Sequence, residues 1–114
     1  MEQSDNKRKN WRKTKEFQRL SKSLRDSLEC RGLTEVVYTD KLQEYLDFWV
    51  RRKELQEDIA IRGLTVTDDR GRVSENRSIS LEIQVSRQML TIFTALGLKA
   101  DEKGLNTGGD DDDL

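Results

Sequence analysis

The fold of this chain is decided by residues 61–98, which read IRGLTVTDDRGRVSENRSISLEIQVSRQMLTIFTALGL. The segment opens with Gly63, a residue with the conformational freedom to end a helix. Three apolar residues then alternate with polar ones around the tight-turn sequence DDRG: Leu64, Val66 and Val73. This pattern predicts a small β-hairpin over about residues 64–74.

The second half of the segment predicts a closing helix over about residues 77–97. Its apolar residues recur mostly at steps of three and four: Ile79, Leu81, Val85, Met89, Ile92, Phe93 and Leu96. The run SISLEIQV at residues 78–85 also alternates like a strand, but the periodicity further along favours a helix. Asn76 or Ser78 can supply its N-cap.

A long helix over about residues 36–62 precedes the hairpin, because good helix formers dominate and residues 40–62 contain neither glycine nor proline. Its apolar residues form two displaced stripes, so the helix needs two contact surfaces. One interpretation assigns the second surface to another subunit; the alternative is that the first and last helices cover both. The residues predicted for oligomerisation are Leu42, Tyr45, Phe48, Trp49, Leu55, Ile59, Leu64, Val66 and Val73.

Charged residues interrupt the apolar pattern of this helix. Bases and acids follow one another at spacings of three to five, for which a solvated face is the default interpretation. The residues concerned are Arg51, Arg52, Lys53, Glu54, Glu57 and Asp58.

A first helix is predicted over about residues 11–31, with apolar residues at Phe17, Leu20, Leu24 and Leu28 and a terminator at Gly32. The fold class is therefore mainly α, with three principal helices and one hairpin. Residues 11–100 form the single domain expected for a chain of 114 residues. Residues 1–10 and 101–114 are predicted to be disordered, basic and acidic respectively.

Only 33% of the residues are apolar and 38% are charged, which predicts a thin monomeric core. The charges are segregated along the chain. Residues 1–25 hold nine bases and three acids, whereas residues 101–114 hold six acids and one base. Such blocks are typical of tails and interaction faces.

The basic block is equally compatible with a solvated surface and with contacts to the phosphates of DNA. The residues predicted for DNA binding are Lys7, Arg8, Lys9, Arg12, Lys13, Lys15, Arg19 and Lys22. Trp11 could stack on a base, although an aromatic residue at a helix start more often packs on its own domain.

Several function classes are disfavoured by composition. The chain has one cysteine, Cys30, no histidine and no GxxxxGK[ST] phosphate loop. We therefore expect no catalytic residues, no metal site and no cofactor. The apolar runs are too short to cross a bilayer, and the beginning of the chain does not resemble a signal peptide, so an intracellular protein is expected.

The order and spacing of these features resemble the phage terminase small subunits of the P27 family, over about residues 15–100. The marks are Leu24 and Leu28 before Gly32-Leu33-Thr34; Leu42, Tyr45 and Trp49; Glu57, Gly63, the turn at Gly71 and Asn76; and Met89 before Leu96-Gly97-Leu98. The chain departs from the family pattern in lacking its prolines, since Arg77 follows Asn76 and Lys99-Ala100 follows Leu98. It therefore resembles a divergent member.

The resemblance implies a non-catalytic subunit that forms homo-oligomeric rings and recognises double-stranded viral DNA. It further implies recruitment and regulation of the large terminase subunit in the host bacterial cytoplasm. Two other classes stay open at the level of the sequence. They are a small dimeric helical transcriptional regulator that binds DNA, and a helical adaptor that binds only protein.

Overall fold

The computed structural model describes residues 9–98. After a 3-10 helix at Trp11–Lys13 come α1 (Lys15–Cys30), α2 (Val36–Arg62), the strands β1 (Thr65–Thr67) and β2 (Val73–Glu75), and α3 (Ser78–Ala95). The predicted mainly α fold, with a hairpin between the second and third helices, is confirmed. Disorder was predicted for residues 1–10 and 101–114, of which residues 1–8 and 101–114 lie outside the described residues.

The first predicted helix is interrupted at Thr14. This residue adopts an extended conformation, with φ −78° and ψ 155°, so the chain does not run as one helix from Trp11. The Thr14 hydroxyl accepts a hydrogen bond from the backbone N–H of Phe17 at 3.2 Å and donates one to the carbonyl of Trp11 at 2.7 Å. Thr14 is thus the N-cap of α1 and fixes the angle between the 3-10 helix and α1.

The core lies on both sides of α2, which packs against α3 most extensively and also against α1 and the 3-10 helix. Phe17 of α1 meets Trp49 of α2 with ring centroids 5.6 Å apart, and Tyr45 meets Phe93 of α3 at 5.9 Å. The buried apolar residues are Phe17, Leu24, Leu28, Leu42, Leu46, Trp49, Val50, Met89, Ile92, Leu96 and Leu98. Much of the two-faced pattern of α2 is therefore explained within one chain.

The last turn of α3 is held by the end of α1. Arg31 donates from Nη2 to the carbonyl of Leu96 at 2.7 Å and from Nη1 to that of Gly97 at 3.0 Å. These carbonyls would otherwise be unpaired at the helix end. Gly97 has φ +70°, the left-handed conformation that ends a helix.

The hairpin is antiparallel, with Thr65 opposite Glu75 and Thr67 opposite Val73. Its turn is organised by Asp68, whose carboxylate accepts from the backbone N–H groups of Arg70 and Arg72, each at 2.9 Å. The N–H of Arg72 is the largest of the influences that hold the pKa of Asp68 below its usual range. Gly71 takes φ +82° in the same turn.

The junction between α2, the hairpin and α3 is a cluster of four polar side chains, which we call the Asp58 junction: the buried Asp58, Asn76 and Ser78, and Arg62, which is half-exposed. The Asp58 carboxylate accepts from Arg62 Nε at 2.9 Å, Ser78 Oγ at 2.7 Å and Asn76 Nδ2 at 3.3 Å. Asn76, which is fully buried, also donates to the carbonyl of Gly63 at 2.9 Å. The cluster links the end of α2 to the start of α3.

Two sequence interpretations change at this junction. Of the six charged residues for which a solvated face is expected, Arg51 and Glu54 are exposed, whereas Arg52, Lys53 and Glu57 are half-buried. The expectation is wrong at Asp58, which is buried and accepts hydrogen bonds from Asn76 and Ser78. The cap of α3 is indirect: the helix begins at Ser78 with Arg77 at the N-cap position, and Asn76 Oδ1 accepts from the backbone N–H of Ser78 at 3.0 Å. The helical interpretation of residues 78–85 is confirmed.

Candidate nucleic-acid interface

The 3-10 helix and α1 carry a set of exposed basic side chains, which we call the basic face: Arg12, Lys13, Lys15, Arg19, Lys22 and Arg25. These basic side chains are exposed to solvent, whereas the apolar stripe of α1 is buried in the core. Residues 9–25 hold seven bases and one acid, Glu16. The positive charge of the first part of the chain is therefore concentrated on one region of the described structure.

The members of the basic face differ in whether acidic residues already neutralise them. Arg12 pairs with Asp47 of α2 at 3.1 Å, and Lys22 pairs with Asp26 at 2.9 Å. The hydrogen bond to Asp26 is the main cause that raises the pKa of Lys22. Within residues 9–98, Lys13, Lys15 and Arg19 form no ion pair, and all three are exposed. These three are free to meet phosphates.

Trp11 anchors the beginning of the basic face to α2. Its indole lies edge-on to Trp49 with centroids 6.1 Å apart, and its Nε1 donates to Glu57 Oε1 at 3.4 Å. The backbone N–H of Lys9 donates to the other oxygen of Glu57 at 3.2 Å. Trp11 thus packs on its own domain, and Glu57 binds residues 9–11 to the body of the protein.

The ammonium group of Lys53 completes this anchor. It lies 5.6 Å from the Trp11 ring centroid and 5.2 Å from that of Trp49, within the range of cation–π attraction. Lys53 also pairs with Glu16 of α1 at 3.5 Å. The positions of the 3-10 helix and α1 relative to α2 are therefore defined by packing and by charge.

The structure places the predicted DNA-binding residues in three groups. Lys7 and Arg8 lie outside the described residues. Lys9 has its ammonium 4.7 Å from the Trp11 ring centroid, and is therefore next to the anchor. Arg12, Lys13, Lys15, Arg19 and Lys22 are exposed and belong to the basic face, together with Arg25 of α1.

The predicted oligomerisation residues do not form one exposed surface. Leu42 and Trp49 are 1% and 8% exposed, so they belong to the core of the chain itself. Tyr45, Phe48, Leu55, Ile59 and Val66 are half-buried. Only Leu64 and Val73, at 68% and 65% exposed, present most of their apolar surface to solvent.

The structure exposes further apolar residues that sequence reasoning did not single out for contacts. Ile61 lies next to the hairpin, Val36 and Val37 lie at the start of α2, and Ile83 and Leu90 lie on the outer side of α3. Periodicity could have suggested Ile83 and Leu90, since they fall off the stripe that contains Met89 and Ile92. Single exposed apolar residues are common on the surfaces of monomeric proteins and by themselves indicate no partner.

A shallow depression lies between α2 and α3 beside Arg12. It has a volume of about 290 Å³ and is lined by Arg12, Glu44, Asp47, Phe48, Arg51 and Val85. Phe48 and Val85 also line a neighbouring depression of about 380 Å³. The lining mixes both charges with two apolar side chains.

In the described part of the chain, no group of three or more His, Cys, Asp or Glu residues could hold a metal ion. Cys30 is a free, exposed thiol. No helix between residues 9 and 98 combines the length and hydropathy that crossing a bilayer requires.

The fold and the basic face define a small helical protein with a positively charged surface on its first helix. The family model described as phage terminase, small subunit, matches residues 8–112 of the chain. The chain therefore belongs to the phage terminase small subunit family. The comparisons with curated proteins and with solved structures gave no match.

Proposed function

We propose that this protein is the DNA-recognising subunit of a phage packaging terminase and that it binds double-stranded viral DNA through the basic face. The family match supports a phage small terminase role. The observation that carries the DNA contact is the grouping of Lys13, Lys15 and Arg19, exposed and without ion pairs inside residues 9–98. Lys7 and Arg8 extend the same charge along the chain.

Binding of this kind draws its affinity mainly from phosphates. Each lysine or arginine that meets a phosphate releases condensed counterions, so affinity falls as salt rises, largely without regard to sequence. Phosphate contacts position a protein on the duplex, whereas base contacts specify the sequence. The basic face supplies the first kind of contact.

Assembly into a homo-oligomeric ring is the second part of the proposal. The core of one chain is small, and apolar side chains stay exposed at Ile61, Leu64 and Val73 near the hairpin. A neighbouring subunit would cover this surface. Repetition of the basic face around a ring would strengthen weak single contacts through the effective concentration of the remaining sites.

The remaining parts of the proposed function rest on the family to which the chain belongs. As a non-catalytic component, the protein would bring the large terminase subunit to viral DNA in the host bacterial cytoplasm and regulate it. We also propose membership of the P27 group as a divergent member that lacks its prolines. The regulator alternative has weaker support, because a helix-turn-helix reads DNA with a short second helix, whereas α2 spans Val36–Arg62 and has Glu35, Asp40 and Glu44 near its start.

Replacement of three basic residues tests the DNA contact. We expect Lys13→Ala, Lys15→Ala and Arg19→Ala together to weaken binding to a fluorescein-labelled 30-bp duplex by roughly 30-fold or more at 50 mM salt, since three phosphate contacts are lost. The matched control removes three bases elsewhere, through Lys41→Ala, Arg70→Ala and Arg87→Ala. Equal affinities for the two triple variants would refute the assignment.

A further inference from the structure

The chain leaves the described structure beside the C-terminal end of α1. Arg31, directly after α1, donates to the carbonyls of Leu96 and Gly97 at 2.7 and 3.0 Å. Leu98 is itself buried in the core. The segment that follows, residues 99–114, therefore begins at a fixed point next to the helix that carries the basic face.

The charge of this segment is opposite to that of the basic face. Residues 101–113 contain six acids and one base, with four consecutive aspartates at residues 110–113. Carboxylates are the natural partners of the unpaired Lys13, Lys15 and Arg19. They offer the same kind of acceptor oxygens as the phosphates of DNA.

The distances are compatible with contact. From Arg31 back to Arg19, α1 rises about 18 Å, at roughly 1.5 Å per residue. Asp110 is the twelfth residue after Leu98, and a chain of twelve residues with the flexibility of a Gly/Ser linker has a root-mean-square span of roughly 17 to 21 Å. A linker whose span matches the separation of the two sites gives the highest effective concentration.

We propose that the acidic segment at residues 101–113 binds the basic face of its own chain and competes with DNA for it. The basic face would then be partly occupied in the free protein, and only a strong polyanion, such as duplex DNA presented to several subunits, would displace the segment. This inference concerns regulation and rests on the proposed DNA-binding function.

The first experiment compares DNA affinities of the full chain and of a variant with Asp110→Asn, Asp111→Asn, Asp112→Asn and Asp113→Asn. If the segment occupies the face nine-tenths of the time, the variant binds the labelled 30-bp duplex about tenfold more tightly at 50 mM salt. At about 300 mM salt the two DNA affinities become nearly equal, because salt screens the contact between the acidic segment and the basic face.

A control with the same change in net charge separates docking from general repulsion between acids and DNA. It carries Asp40→Asn, Glu54→Gln, Asp69→Asn and Glu75→Gln, four exposed acids outside residues 101–113. We expect its affinity to stay within about twofold of the full chain, as surface charges remote from the face act weakly through salt. Equal gains for both quadruple variants would overturn the proposal.

The second experiment needs no DNA. Acetylation by an N-hydroxysuccinimide ester, read by mass spectrometry, reports how accessible each lysine is. Lys13 and Lys15 should be acetylated up to about tenfold faster in the variant with Asn at residues 110–113 than in the full chain. The factor depends on the fraction of molecules in which the basic face is not occupied by the acidic segment. Lys41 on α2 serves as the internal reference and should not change.

The two experiments distinguish the possible failures. Shielded lysines in a protein that binds no DNA in any variant would support docking of the segment and refute the proposed DNA contact. Unchanged lysine reactivity together with unchanged DNA affinity would overturn docking and leave the DNA contact standing.

Discussion

Asp58 is the residue whose environment in the structure differs most from the one that the sequence predicts. Charges at spacings of three to five on both sides predict a solvated aspartate, yet its side chain is 12% exposed and accepts from Arg62, Asn76 and Ser78. A buried carboxylate is tolerated only where donors replace the lost water. Here the donors are Arg62 at the end of α2, Asn76 directly after β2 and Ser78 at the start of α3, so one side chain links the end of α2 to the chain after the hairpin.

Replacing Asp58 should therefore destabilise the whole fold. Asp58→Asn removes charge-assisted hydrogen bonds and places an amide among donors, at an expected cost of about 2 kcal/mol in the free energy of unfolding at pH 7. Urea unfolding followed by circular dichroism measures it. Glu54→Gln, an exposed change on the same helix, should stay within about 0.5 kcal/mol of the unchanged protein. A cost below that limit for Asp58→Asn would contradict the role of the junction.

The same residue predicts a pH dependence. The hydrogen bonds from Arg62, then Ser78, hold the pKa of Asp58 well below its usual range, while the unfolded chain titrates at about 3.9. A lowered folded-state pKa gives stability that is complete above the unfolded pKa and is lost as pH falls through the folded one. The difference between the unchanged protein and Asp58→Asn should be constant above about pH 5 and narrow below about pH 4. A constant difference down to pH 2 would contradict this assignment.

The helices and the hairpin could be predicted from the sequence because each is marked by a pattern of neighbouring residues. The spacing of Leu42 and Met89 with their neighbours marks helices, and the turn composition before Gly71 marks the hairpin. The break at Thr14 was not predicted, because a threonine inside a helical pattern acts as a cap only if its hydroxyl faces the right N–H. Cross-element pairs such as Arg31 with Leu96 could not be predicted, since no local pattern joins residues 65 apart.

For α2, the sequence likewise indicates contact surfaces but not the partners that cover them. Apolar residues on two stripes indicate two contacts, but the sequence does not say which contact lies within the chain. Trp49 is buried by Trp11 and Phe17, whereas Leu64 and Val73 remain exposed. The basic stripe of α1 was predictable, because charge segregation is visible without any tertiary information.

The hairpin gives the prediction for assembly. Leu64→Ser with Val73→Ser removes exposed apolar surface, so we expect the monomer fold to persist and the ring to dissociate into smaller species. Native mass spectrometry or light scattering measures the change. Val36→Ser with Val37→Ser, about 40 Å away along α2 at 1.5 Å per residue, is the control and should leave the mass unchanged.

A ring of many copies supports the proposed assembly, and a dimer would favour the regulator alternative. A monomer at micromolar concentration would contradict assembly through the hairpin. If the hairpin variant keeps the mass of the unchanged protein, the subunit contact lies elsewhere, for example at Ile83 and Leu90 of α3.

At the scale of the whole molecule, charge is divided between two separate parts of the chain. The 3-10 helix and α1 carry six bases, with Lys9 directly before them, and residues 101–113 carry six acids and one base. A net charge of −1 therefore conceals a protein with a strongly positive surface. Phosphate binding depends on this local charge and not on the total.

The salt dependence of DNA affinity tests the central claim, that the basic face binds phosphates, most directly. The logarithm of the association constant is plotted against that of the salt concentration for the unchanged protein and for the Lys13, Lys15, Arg19 triple variant. We expect the slope of the triple variant to be shallower by about 2.7 per subunit engaged, since each lost phosphate contact removes roughly 0.9. Identical slopes would show that these residues do not meet phosphates and would contradict the account.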